Sequence, residues 1–428
     1  MTVDAPSLAS GSDAAPPGGL GRRQVNAVAA CYFVASFAAL GLPPYLTAIL
    51  PGLGDPDGTW AGVLYIVPTV FSALGAPLWG RLADRFGRKR LLLRAQLGLA
   101  VSFLLAGAAG SLTAFTLALV LQGFLGGTFA ATNGYLAAAL DGPRLSRALT
   151  LMQGSARAAL VAAPILVGAL SPWIDPHRQY LLMAVLPLTA AGFLLLLPEP
   201  GRPPARDAPG AAETAEAART AEVAEVAEAS GVAGVADEPP RAPLRVLYAF
   251  EFAFVFATII SFPYLIALAE QRLPGVSGTT TGVLFALPHL CYLVFAARTH
   301  TAFLHRPHTG LALGLLLVAL GLAGHAVAGS LAVFAAVRLL LGAGLTLGLV
   351  SLAVLAAEAA RGRPPGRMFG TLEFVSKGGA VAAGAVAALV NGRFGATAPV
   401  LAGTAAALLA ALAATAFTAP VRQRWSHS

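Results

Sequence analysis

Charge is scarce in this chain. Asp, Glu, Lys and Arg together make up 11% of its 428 residues, less than half of the roughly 25% carried by a typical soluble domain. No water-facing surface can be built from so few charges. With 57% hydrophobic residues and a mean hydropathy of +0.74 the composition excludes disorder and an ordinary soluble enzyme. Cysteine is nearly missing as well. Cys31 and Cys291 both fall inside apolar runs and read as small core residues, which excludes a disulfide scaffold. There is no His/Cys cluster with ligand spacing, so neither a metal nor another cofactor is expected. No nucleophile lies beside a base at catalytic spacing, so an enzyme is not expected. The absence of a G-x-x-x-x-G-K-[ST] loop excludes ATP-driven transport by this chain alone. Residues 1–20 lack the basic-then-apolar order of a cleavable signal. What remains is an all-α polytopic membrane protein.

Apolar runs near 24–50, 60–79, 91–109, 112–140, 147–171 and 179–197, then 244–269, 280–298, 309–328, 331–359, 367–391 and 396–419, predict twelve spans in two sets of six. The expected organisation is a disordered cytoplasmic tail (1–23), a first six-helix bundle (24–197), a linker (198–243), a second bundle (244–419) and a cytoplasmic tail (420–428). The linker is Pro-bounded and rich in Ala and Glu, reading Ala-Glu-Val-Ala-Glu-Val-Ala-Glu over 221–228, and reads as a solvated connection. With an even number of spans, 21 of the 28 Lys and Arg residues fall on the side of the termini and 3, Arg178, Arg272 and Arg393, on the other. This bias places both termini and the linker in the cytoplasm of a cell whose inner (plasma) membrane holds the protein. The net charge of +8 then reflects loop charge that fixes orientation, not nucleic-acid binding.

The halves resemble one another at a shift of about 220 residues. Gly58-Thr59, Gly62-Val63-Leu64-Tyr65 and Pro68 match Gly278-Thr279, Gly282-Val283-Leu284-Phe285 and Pro288; Pro44-Tyr45-Leu46 matches Pro263-Tyr264-Leu265; Gln153 and Arg157 match Glu373 and Lys377. Duplicated halves of like orientation are a transporter architecture, with a substrate site between them near mid-membrane.

Between spans two and three the chain reads Gly80-Arg81-Leu82-Ala83-Asp84-Arg85-Phe86-Gly87-Arg88-Lys89-Arg90. This resembles the cytoplasmic loop signature of the major facilitator superfamily, G-x-L-a-D-r-x-G-r-k, and the resemblance extends over about 24–419. It implies the facilitator fold, with twelve helices in two pseudo-symmetric halves. It also implies a latch made by Gly80, Asp84, Arg85, Gly87 and Arg88 that favours the outward-facing end state. The equivalent stretch around His300 to Arg306 has lost the pattern. Span five carries Ala163-Pro164-Ile165-Leu166-Val167-Gly168 where proton-driven exporters of this family have G-P-x-x-G-G. Span four keeps Gln122-Gly123 of R-x-x-q-G but has Leu119 at the arginine position, while span ten has Arg338 with Gly342. The stretches 91–100, containing Arg94, and 131–136, Ala-Thr-Asn-Gly-Tyr-Leu, look like the branch that exports carboxylate siderophores.

Charges within spans are expensive and usually face a cavity. Arg157 and Lys377 each lie about ten residues into a span, roughly 15 Å deep, with Gln153 and Glu373 four residues earlier on the same face. Two cations at matched depths suit an anionic substrate. Against that stands simple neutralisation of Lys377 by Glu373. Arg338 and His289 are further candidates for substrate contact, with a structural role open for each. Glu251, between Phe250 and Phe252, and Glu373 are candidate proton carriers, with pairing to Arg338, Arg157 or Lys377 the alternative. Tyr45 and Tyr264 read as packing and gating residues. The expected function is secondary active transport: proton-coupled efflux of a small anion such as a carboxylate siderophore, by a monomer in the bilayer. Export of drugs or sugars by the same fold is the alternative among transporters. A non-transporting receptor or sensor is the alternative of another class.

Overall fold

A computed structural model describes residues 20–140, 142–197, 244–360 and 365–425. The expected tail before residue 20 and the linker lie outside the described residues, which contain helices and no strand. Span one is Arg22–Gly41, followed by short turns up to Leu53. Span two is Ala61–Phe86, span three Arg88–Gly107, span five Gly142–Leu170 and span six Pro176–Leu195. The second half repeats the order. Span seven is Leu244–Ile259 with a following short helix, Leu265–Arg272. Spans eight to twelve are Gly278–Phe303, Pro307–Val327, Leu331–Ala360, Pro365–Phe394 and Ala398–Trp425. Ten of these stretches are long and apolar enough to cross a bilayer unaided. The other two spans are span two, whose apolar part is Ala61–Ala76, and span four.

The helices start and stop where local chemistry directs. Ser111 and Ser277 accept hydrogen bonds from the backbone N–H groups of Ala114 and Thr280, capping spans four and eight. Asp175 accepts from His177 N at 2.8 Å ahead of Pro176 at the first turn of span six. Gly87, at φ 95°, takes the left-handed bend between spans two and three that a side chain would resist. The glycine of the loop signature is thus a joint.

Span four departs from expectation. The apolar run over 112–140 predicted one helix, whereas the structure has two, Leu112–Leu125 and Thr128–Ala139, broken at Gly126-Gly127. Gly127 sits at φ 73°, and its missing side chain leaves the second helix without a side-chain cap. Two consecutive glycines lower the cost of leaving the helix there.

Each half has its own core, one around Val28, Tyr135 and Leu194 and another around Phe254, Leu315 and Ala407. A further core joins the halves at the end opposite the termini, where Leu42, Leu46 and Ile49 pack with Ile260, Tyr264 and Ile266. Span five packs on span eight, and span two on span eleven. Glycine makes both crossings possible. A methyl group on Gly62 would stand 2.5 Å from the carbonyl oxygen of Gly384, and one on Gly282 would collide with that of Pro164. Gly62 and Gly282 are repeat partners, as are Gly384 and Pro164.

Candidate functional site

A cavity of about 710 Å³ lies between the halves. The first half contributes Tyr32 from span one, Tyr65, Pro68 and Ser72 from span two, Gln122, Gly123 and Gly126 to Thr128 around the break in span four, Asn133, and Gln153 from span five. The second half contributes Glu251, Phe262, Phe285, Glu373, Ser376 and Lys377. Toward the closed end an aromatic layer forms: Phe262 meets Tyr65 edge-on with ring centres 6.4 Å apart, and Phe285 at 5.1 Å. Beyond it Tyr264 bridges the halves. Its hydroxyl donates to the Thr59 carbonyl at 2.9 Å and accepts from Gly62 N–H at 3.1 Å. Its repeat partner Tyr45 donates to the carbonyl of Pro164 at 2.6 Å, beside the close approach of Gly168 to Gly278. The residues surviving from the exporter stretch of span five therefore build the seam between the halves.

Four sequence-predicted residues meet in the cavity wall. Gln153 lines it from the first half; Glu251, Glu373 and Lys377 line it from the second. Lys377 Nζ is 3.2 Å from Glu373, both half exposed, so the lysine is already paired within its own helix. Glu251, on span seven, has Ser376 and Glu373 of span eleven as electrostatic neighbours. Two carboxylates and one ammonium thus share a wall, a group that leaves one negative charge when both acids are ionised.

Three others are not brought to the cavity wall. Arg157 turns aside, its guanidinium 5.0 Å from the ring centre of Tyr292 on span eight. His289 is 2% exposed behind Phe262 and Phe285, and neither ring nitrogen has a hydrogen-bond partner among the described residues. Arg338 is fully buried. Its Nε donates to the Leu284 carbonyl at 2.7 Å and its Nη2 to that of Phe285 at 2.8 Å. The reason is local: Pro288 has no N–H to offer the carbonyl four residues earlier, and Arg338 supplies the donor.

The loop signature is visible in part. Gly80 and Asp84 both lie on the last turns of span two, and the Asp84 side chain is outside what the structure describes. The Arg85 guanidinium sits 5.4 Å from the Phe86 ring, and Arg88 donates to the Gly134 carbonyl at 3.1 Å. Lys89 donates to the Leu195 carbonyl at 3.0 Å, holding the last turn of span six.

One cation was not singled out from sequence. Arg94 of span three donates to the Leu125 carbonyl at 2.6 Å and reaches that of Gly126 at 3.5 Å. Its guanidinium stacks 3.4 Å above the Trp79 ring, and Trp79 Nε1 donates to the Phe124 carbonyl at 2.6 Å. The carbonyls released by the break in span four are taken by these two residues. Gly126-Gly127 ahead of a threonine was the available signal.

A family model, the Major Facilitator Superfamily, matches residues 28–307. The chain belongs to the major facilitator superfamily. It is a multi-pass membrane protein of a superfamily whose members carry small molecules. Among similar proteins, multidrug resistance protein MdtG of Dickeya zeae is 34% identical over 161 residues, 36% of this chain and 39% of that protein. MdtG of Serratia proteamaculans is 34% identical over 39% of each chain. The chain therefore matches little more than a third of the length of these relatives. Among solved structures, a human organic anion transporter superposes with a TM-score of 0.61 at 22% identity, covering 94% of this chain and all of that one. A peptide transporter crystallised with sulfate gives 0.70 at 15% identity, covering 94% and 95%. At these identities the likeness is one of fold.

Proposed function

We propose that the protein is a proton-coupled exporter of small carboxylate-bearing molecules, working by alternating access as a monomer, with both termini in the cytoplasm of a cell whose inner membrane holds it. The observation that carries this reading is the cluster of Glu251, Glu373 and Lys377 on the wall of a cavity between the halves. Carboxylates reached from an aqueous cavity but backed by Phe250 and its neighbours are poised to take up and release protons as the cavity changes sides. Export, not uptake, is favoured by the MdtG relatives and by Pro164 and Gly168 at the seam. The siderophore class rests on the likeness of the stretches 91–100 and 131–136. The contacts between the halves at the end opposite the termini agree with a state in which the cavity is reached from the cytoplasm.

Export of chemically varied drugs is a second reading. The aromatic layer of Tyr65, Phe262 and Phe285 supports it, because flat apolar surface accepts many ligands.

Proteoliposome transport of the Glu251→Gln and Glu373→Gln variants tests the coupling. Loss of uphill accumulation driven by a pH gradient, with gradient-independent exchange retained, is expected from at least one of them. Full uphill transport by both single variants and the double variant would remove these carboxylates from the mechanism.

A further inference from the structure

The break in span four has a polarity that its neighbours bring out. A helix that ends and a helix that begins place carbonyl oxygens and N–H groups side by side. Here the carbonyls of Phe124, Leu125 and Gly126 are covered by Trp79 and Arg94. At the start of Thr128–Ala139, Gly127 has no side chain to cap the N–H groups, and no other side chain among the described residues is seen to do so. What faces the cavity is the positive end of a twelve-residue helix, with the Arg94 guanidinium behind it.

Two buried side chains point to a ligand independently of the helix end. Thr128 is 5% exposed and Gln122 9%, both line the cavity, and Thr128 Oγ1 and Gln122 Oε1 have no hydrogen-bond partner among the described residues. The threonine hydroxyl can donate to an anion as it stands, and the glutamine can do so through Nε2 once its amide is turned over, which replaces the unpartnered oxygen by a donor. Orphaned polar atoms this deep are costly unless something occupies them during the cycle. The opposite wall, with Glu251 and Glu373, repels an anion and so leaves this wall for it.

We propose that the break in span four is the subsite that holds the substrate's carboxylate, through the N–H groups that open the second helix, the Thr128 hydroxyl and the Gln122 amide. This rests on the exporter reading above and moves its charge recognition from Arg157, which faces Tyr292, to span four. Arg94 acts as a positioning residue that holds the preceding helix end closed.

The test measures equilibrium binding to the purified full chain in lipid nanodiscs. The probes are citrate, a citrate-based hydroxamate siderophore and fluorescein, each compared with its ester. The wild type is expected to prefer at least one acid to its ester. Thr128→Val and Gln122→Leu should each weaken that acid by about tenfold, leave the ester unchanged, and keep the ligand-free melting temperature. Thr128→Ser, which retains the hydroxyl, should bind like wild type. A wild type that distinguishes no acid from its ester contradicts both this subsite and the carboxylate reading. A wild type that does distinguish them, with Thr128→Val and Gln122→Leu unchanged or losing acid and ester equally, overturns the subsite alone.

Discussion

Arg338 on span ten donates to the carbonyl of Leu284 on span eight, the carbonyl that Pro288 leaves without its helical partner. A backbone acceptor unsatisfied at membrane depth costs several kcal/mol, so the arginine and the proline form one device. The first half has Pro68 and Gly123 in matching contact, as the second has Pro288 and Gly342, but Leu119 stands where the arginine would be.

Arg338→Leu is expected to lower stability by about 1–3 kcal/mol and leave substrate affinity unchanged. Thermal unfolding in detergent checks this. The same substitution in a Pro288→Ala background should cost less, because alanine restores the N–H that Leu284 lacks. Equal losses in the two backgrounds would separate the arginine from the proline.

Tyr264→Phe removes two hydrogen bonds that cross between the halves, to Thr59 and Gly62. With each worth about 1 kcal/mol net, the closed end should open more often, the open-to-closed ratio rising by roughly thirtyfold. Distances between spin labels on the two halves at that end should gain a longer component.

Gly282→Ala places a methyl group against the Pro164 carbonyl. Helices five and eight would have to separate, and transport should fall several-fold with binding retained. Gly154→Ala, at a position where nothing lies within 4 Å, is the control and should transport like wild type.

Much of this was legible beforehand. Apolar runs and the distribution of arginine report on the solvent around each segment, so the spans and the two halves follow from them. The repeat carried further: Gly62 with Gly282 and Tyr45 with Tyr264 occupy matching places at the two seams. The direction of single side chains was not legible. Arg157 and Lys377 share depth and spacing, yet one lies against Tyr292 and the other joins Glu373, because position along a helix does not specify rotation within a bundle. Arg338 was left open for a related reason: a buried charge can serve a broken backbone as well as a substrate, and Pro288 is the neighbour that speaks for the backbone. The break at Gly126-Gly127 was hidden by the continuous hydropathy around it.

Asp84→Asn is expected to leave folding and substrate affinity intact while slowing turnover, if the loop between spans two and three holds one end state. Binding and turnover measured separately on the same preparation check this. A collapse of affinity with turnover preserved would contradict the latch.

Proton-coupled export, as proposed, drives carboxylates outward through the cavity between the halves. Its most direct test is accumulation of the citrate-based siderophore and of fluorescein in proteoliposomes, each beside its ester, with and without an imposed pH gradient. Uphill accumulation of at least one acid that needs the gradient, collapses with a protonophore and is several-fold weaker for the ester is the predicted result. Accumulation of neither acid, or equal transport with and without the gradient, would contradict the account.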